Sequence, residues 1–279
     1  MPAVSTGPTE ATASWSLTSV DYILLGLLLL TLYMPLVTAI YYARKDMPSI
    51  RYRNPHQMTI CGFTATFYCW FKLVFGLMTA TISCATSQYL VSILFHFTTF
   101  SVFLSEVSIV VTFYLTELLV TTHTKGHTPQ NDRKSRLLRL YLRPSTTLCV
   151  WIIGHLLWNV PTIATIASYT NDLNNTTLKE CPNYIVETIE LVSAIQVGIL
   201  LVLGSILTRC MSTNIDNFGL RSNYIYAHRV WLCCYIIYLI VVGLENVSWA
   251  KKYQIDSILI TLSMQSIVLI IIVRPLHLS

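Results

Sequence analysis

The chain is short of charge. Asp, Glu, Lys and Arg make up 11% of its 279 residues, against roughly 25% in a soluble globular domain. A water-facing surface over most of the length is thereby excluded. The longest stretch outside the apolar runs, about 117–145, is too short for an independent soluble domain. Catalytic patterns are missing too. No Asp-x-x-Asp, His-x-x-x-His or Gly-x-Ser-x-Gly falls within an apolar run. The chain therefore reads as no enzyme, with no metal site and no cofactor expected. Lys and Arg are absent from the first 20 residues, which removes the basic n-region of a signal peptide. Residues 1–19 are expected to be a short disordered extracellular tail, with the first apolar run as insertion signal.

What is present is long apolar sequence. Hydrophobic residues account for 54% of the chain, and the mean hydropathy is +0.59. Seven runs fall at about 20–42, 58–82, 88–116, 146–169, 184–208, 229–249 and 255–273. Each is near the ~20 residues a helix needs to cross a hydrocarbon core of ~30 Å. Backbone polar groups must be satisfied internally there, so only helices or closed barrels cross. The runs show no strict apolar/polar alternation, so they read as helices. The expected fold is an all-α membrane protein, a seven-transmembrane helix bundle over residues 20–273. Seven is odd, so the termini lie on opposite sides.

Lys and Arg decide which way round such a bundle sits. Arg44, Lys45, Arg51 and Arg53 lie in the first link. Lys125, Arg133, Lys134, Arg136, Arg139 and Arg143 lie in the third, and Arg209, Arg221 and Arg229 in or beside the fifth. Arg274 follows the last run. Those fourteen share one side; the other has only Lys179, Lys251 and Lys252, and Lys72 is inside the second run. The N-terminus is expected outside and the C-terminus in the cytosol, at the plasma membrane. The net charge of +5 then reads as a topology signal and as contact with anionic lipid headgroups. Membrane lipids are expected partners and nucleic acid is not.

Two further cues sit on the expected outer side. Asn174-Asn175-Thr176-Thr177 holds two overlapping glycosylation sequons. Asn246-Val247-Ser248 also fits but falls at a membrane edge, where no glycan is expected. Of eight cysteines, Cys84 and Cys181 are the two in outer positions. A disulfide there would face an oxidising compartment and tether the second outer loop over the bundle; two free thiols are the alternative. The other six are expected to pack as small hydrophobes, with Cys210 a palmitoylation candidate.

Seven helices with a cysteine atop the third and another in the second outer loop resemble a G-protein-coupled receptor. The rhodopsin-like pattern is missing. Helix three closes on Tyr114-Leu115-Thr116-Glu117, without an Asp-Arg-Tyr triplet, and no Asn-Pro-x-x-Tyr occurs in helix seven. The stretch Asn217-Phe218-Gly219-Leu220-Arg221-Ser222-Asn223-Tyr224 is similar to the third inner loop of metabotropic-glutamate-like receptors. It also resembles the Phe-x-x-Leu-Arg of receptor-like proteins that carry a regulator-of-G-protein-signalling domain. Arg274-Pro275-Leu276-His277 is similar to the Pro-Lys ending of the glutamate group. Gly219 stands where that family has an acidic residue, and no large N-terminal binding domain is expected before the bundle. The resemblance implies an extracellular ligand and a heterotrimeric G protein as partners. It also implies that residues 274–279 are a truncated cytosolic tail, with any regulator domain following residue 279.

Ionisable side chains at membrane depth are costly and normally face the bundle interior. At 1.5 Å per residue, Lys72 lies ~15 Å from the outer face, Glu190 ~9 Å and Glu245 ~6 Å. They are the candidate lining of a ligand cavity; a bundle-locking ion pair or a snorkelling lysine is the alternative. Glu106 lies ~27 Å from the outer end of its run. It is expected to pair with Arg221 or Arg229 as a switch between helices three and six, or to act as a static helix cap. His155, Asn159 and Pro161 share the fourth run, where Pro161 is expected to kink the helix and His155 to be a packing residue. Arg133, Lys134 and Arg136 form a basic inner loop, the candidate contact for the cytosolic partner.

Retinal chemistry is set aside, because 255–273 contains no lysine. The expected function is a receptor-like protein passing a conformational signal to a G-protein-type partner. An ion- or solute-coupled transporter and a non-signalling partner-binding protein are the alternatives.

Overall fold

The computed structural model describes residues 18–51, 53–125, 128–174, 176–210, 220–243 and 255–277. The tail before Thr18, Asn175, the loop at 211–219, Glu245, the 246–248 sequon, Lys251 and Lys252 lie outside the described residues, as do 278–279 of the expected cytosolic tail.

The described residues are almost entirely helical. The elements are α1 (Ser19–Thr31), α2 (Tyr33–Ala43), α3 (Pro48–Arg51), α4 (Pro55–Leu77), α5 (Cys84–Lys125), α6 (Pro129–Tyr141), α7 (Pro144–Ser168) and α8 (Thr170–Asn174). A 3-10 turn (Leu178–Glu180), α9 (Asn183–Cys210), α10 (Leu220–Gly243), α11 (Ile255–Ile267), a π-helical stretch (Val268–Val273) and α12 (Arg274–His277) follow among the described residues. Six spans among the described residues are long and apolar enough to cross a membrane: Ser19–Ala43, Pro55–Leu77, Cys84–Thr124, Pro144–Ser168, Asn183–Cys210 and Ser257–Leu276. Their outward faces are apolar, as at Leu156 (66% exposed) and Leu157 (67%). A water-soluble bundle would place polar residues there. The chain is a helical, multi-pass membrane protein.

Local chemistry explains the boundaries. Thr18 and Asp21 form a capping box that starts α1. The first apolar run is two helices, not one, breaking at Leu32. Pro35 has no N–H to give to the Thr31 carbonyl, and its ring crowds that turn. Pro161 does not break α7, which continues to Ser168. The third run extends past its expected end at 116. Its helix has 42 residues, ~63 Å at 1.5 Å per residue, about twice the hydrocarbon thickness. The basic loop expected after it is the helix α6, capped by Thr128, whose side chain accepts from the Asn131 N–H.

Packing contacts join α4, α5, α9, α10 and α11 into a closed ring, with α1 and α2 set against α4, and α7 against α5 and α9. Small residues permit the close approaches, as membrane bundles require. A Cβ on Gly62 would lie 2.5 Å from Thr38 Oγ1 and 2.7 Å from Ile272 Cδ1. The α4 backbone therefore sits directly on α2 and on the π-helical stretch.

Cys84 and Cys181 are joined by a disulfide, with Cα atoms 5.7 Å apart and a sequence separation of 97. Backbone bonds reinforce it. Cys84 N donates to Thr176 O (3.0 Å), Leu178 N to Ile82 O (2.8 Å) and Lys179 N to Thr79 O (3.0 Å). The loop between α8 and α9 is thereby laced to the α4–α5 connection. Beneath it, Ile166, Leu173, Ile185 and Ile189 pack as a small core.

Candidate functional site

The ring encloses a central cavity of ≈ 100 Å³. One water needs ~10–15 Å³, so there is room for several waters or a small polar ligand. A drug-sized ligand occupies ~300–1,000 Å³. Lys72 from α4 and Glu190 from α9 both line this cavity, with Tyr68, Phe95, Trp231 and Tyr235 as aromatic wall. Lys72 lies nearer the end of its helix than its run implied. Its helix ends at Leu77, five residues on, or ~7.5 Å. Opposite charges in one apolar chamber are costly unless they engage each other or a ligand. Glu245, the third expected cavity residue, lies outside the described residues.

A buried polar network runs from this chamber into the α5, α7 and α9 interface. Ser193 lines the cavity, and its Oγ is 3.1 Å from His96 Nε2. The same nitrogen is 3.0 Å from Thr162 Oγ1. Thr162 donates to Gln196 Oε1 (2.6 Å), and Gln196 Nε2 donates to the Trp158 carbonyl (2.6 Å). His155 sits nearer the start of α7, 3.0 Å from Ser101 Oγ and stacked on Phe97 with ring centroids 4.1 Å apart.

Glu106 does not pair with Arg221 or Arg229. Its Oε2 is 2.8 Å from Nε2 of His228 on α10, with both side chains buried. Helical phase explains the difference. Residue 229 is about 100° round the helix from 228, and Arg229 faces out. Arg221 lies two turns toward the helix start, ~10 Å away, and its Nε has no partner. Just beside the pair, Ser105 Oγ is 3.4 Å from both the Arg53 carbonyl and the Tyr224 hydroxyl. A Cβ on Gly204 of α9 would collide with the His228 ring and come within 3.1 Å of Glu106 Oε2. Three helices thus close on this one hydrogen bond.

His228 escaped sequence reasoning because it is next to an arginine at an expected helix end. One signal was available. Tyr224, His228, Trp231, Tyr235 and Tyr238 recur at helical spacing on a single stripe of α10.

The remaining site residues are on the surface. Arg133, Lys134 and Arg136 are exposed on α6. Asn174 is exposed at the end of α8, on the disulfide side; its partner sequon residue Asn175 is not among the described residues. Cys210 is exposed at the end of α9. The described residues hold no cluster of three or more His, Cys, Asp or Glu suited to a metal. No family model, curated protein or solved structure matches the chain.

Proposed function

We propose that this chain is a receptor-like seven-helix membrane protein that converts occupancy of its central cavity into a rearrangement at the opposite end of α10, read by a G-protein-type partner. One observation carries the reading. Trp231, Tyr235 and Tyr238 of α10 line the cavity, and His228, one turn below Trp231 on the same stripe, holds Glu106. A rigid helix that turns to admit a ligand must carry His228 with it. A ligand then shifts the population only by its differential affinity for the two positions of α10. Loss of the Glu106–His228 bond frees the inner ends of α5 and α10, and the exposed Arg133, Lys134 and Arg136 of α6 supply a basic contact for the partner.

In this reading α10 joins the six spans above as the sixth of seven crossings in chain order, the N-terminus lies outside and the C-terminus is cytosolic, at the plasma membrane. The fourteen-to-three basic asymmetry supports it. So does the disulfide, which belongs on a non-cytosolic face. An epitope at the N-terminus will stain on intact cells, and one at residue 279 only after permeabilisation. The reverse pattern rejects the orientation.

The function itself is tested in liposomes. Purified chain reconstituted with a panel of heterotrimeric G proteins will accelerate nucleotide exchange over empty liposomes. The carrier reading has the His96 network on its side, since buried histidine chains also serve proton relays. Measurable solute or proton flux without exchange would favour it and end the receptor proposal. Silence in both assays would favour a non-signalling, partner-binding protein.

A further inference from the structure

We infer that a second groove, between the beginnings of α4 and α7, binds an anionic phospholipid, its phosphate at two helix N-termini and one acyl chain laid along α7. The groove has a volume of ≈ 540 Å³ and shares no lining residue with the central cavity. Arg51, Asn54, His56 and Gln57 line its polar end, and Ile60 and Leu148 its apolar end.

Both helices open without a side-chain cap. Asn54 before α4 and Arg143 before α7 make no capping hydrogen bond, and each helix has proline in its first turn. The first-turn amides of both are therefore left as donors at the positive end of a helix dipole. That arrangement binds phosphate, and Arg51 adds a cation beside it.

A second observation points to an occupant. Gln57 is 8% exposed, lines the groove, and its Oε1 has no hydrogen-bond partner. The Nε1 of Trp151, another lining residue, is also buried without one. Buried polar atoms normally find partners. Both residues line the groove, each with one buried polar atom that has no partner, and a ligand toward which these side chains turn supplies the complement of each. A glycerophospholipid does so: a headgroup hydroxyl for Gln57 Oε1 and an ester carbonyl for Trp151 Nε1. Trp151 lies about two turns into α7, and helical side chains lean back toward the N-terminus, which sets its indole at glycerol depth.

The apolar end argues for a lipid over free phosphate. Ile60 is 41% exposed and Leu148 55%, and both belong to membrane-crossing helices. Free phosphate would leave that wall uncovered; an acyl chain continues along it.

The test is native mass spectrometry of the full chain taken from nanodiscs with equal phosphatidylglycerol and phosphatidylcholine. Wild type is expected to retain phosphatidylglycerol selectively. Arg51→Gln should lower that retention roughly fivefold, the effect of one basic residue at a membrane surface. Arg139→Gln, an exposed charge on α6 outside the groove, should leave it unchanged. Leu148→Trp alters no charge and obstructs the chain path, so it should also lower retention; it decides the matter if Arg51→Gln does not fold. Inorganic phosphate at millimolar concentration should not displace the lipid. Equal retention of both lipids, unaltered retention in Arg51→Gln and Leu148→Trp, or displacement by inorganic phosphate would each overturn the proposal.

Discussion

Glu106→Gln will raise ligand-independent nucleotide exchange on a co-reconstituted G protein. Glutamine keeps the size of the side chain but forfeits the charge-assisted part of its bond to His228. Hydrogen bonds to charged groups contribute ~1.5–3 kcal/mol. Losing that from one state moves a two-state equilibrium by roughly 10- to 100-fold. Gly204→Ala provides an independent arm. It leaves Glu106 and His228 intact, yet its Cβ would meet the His228 ring, so it should separate the pair and raise exchange in the same direction. Exchange at wild-type level in both variants, with folding preserved, would show that this hydrogen bond holds no switch. A rise in Glu106→Gln alone would assign the effect to charge and not to the approach of α10.

Cys84→Ser and Cys181→Ser will each destabilise the purified protein by ~2–5 kcal/mol, the usual cost of losing a native disulfide. The bridge closes a loop of 97 residues that contains nearly all of α5, α6 and α7, so it removes much freedom from the unfolded chain. Thermal melts in detergent should show equal losses for the two single variants. The double variant should lose no more than either single, because one covalent bond is at stake. Reductant should lower the wild-type midpoint to the same level and leave the variants unmoved. Two single variants that melt with wild type would mean the backbone bonds of Cys84, Leu178 and Lys179 hold the loop between α8 and α9 without it.

How much of this was legible beforehand varies by residue. The Cys84–Cys181 bridge was readable because the expected topology left two cysteines on the side with few basic residues. The break at Leu32 was readable in principle: Pro35 dictates it through a local clash and one missing donor, but the apolar run hid it. The helix at 129–141 was obscured by its charge. Arg133, Lys134 and Arg136 read as a loop, while the Thr128 cap and the helical spacing of Leu137, Leu140 and Tyr141 were the contrary signal. Lys72 and Glu190 stood out by their charge alone, though their placement around one chamber did not follow from it.

The sequence by itself determined the class of molecule. Length, hydropathy and the demand that every backbone group be satisfied act along one segment at a time, and they leave a multi-pass helical membrane protein as the outcome. Only the tertiary structure decided which side chains meet. Glu106 and His228 are 122 residues apart, and Gln57 and Trp151 reach one groove from different helices. Such meetings depend on the rotation of each helix about its axis and on its shift along it. A turn of about 100° exchanges one residue for the next. Where nearly every face is apolar, hydropathy scarcely changes with that rotation, so the phase is set by packing such as Gly62 against Thr38 and Ile272 rather than by the pattern of the chain.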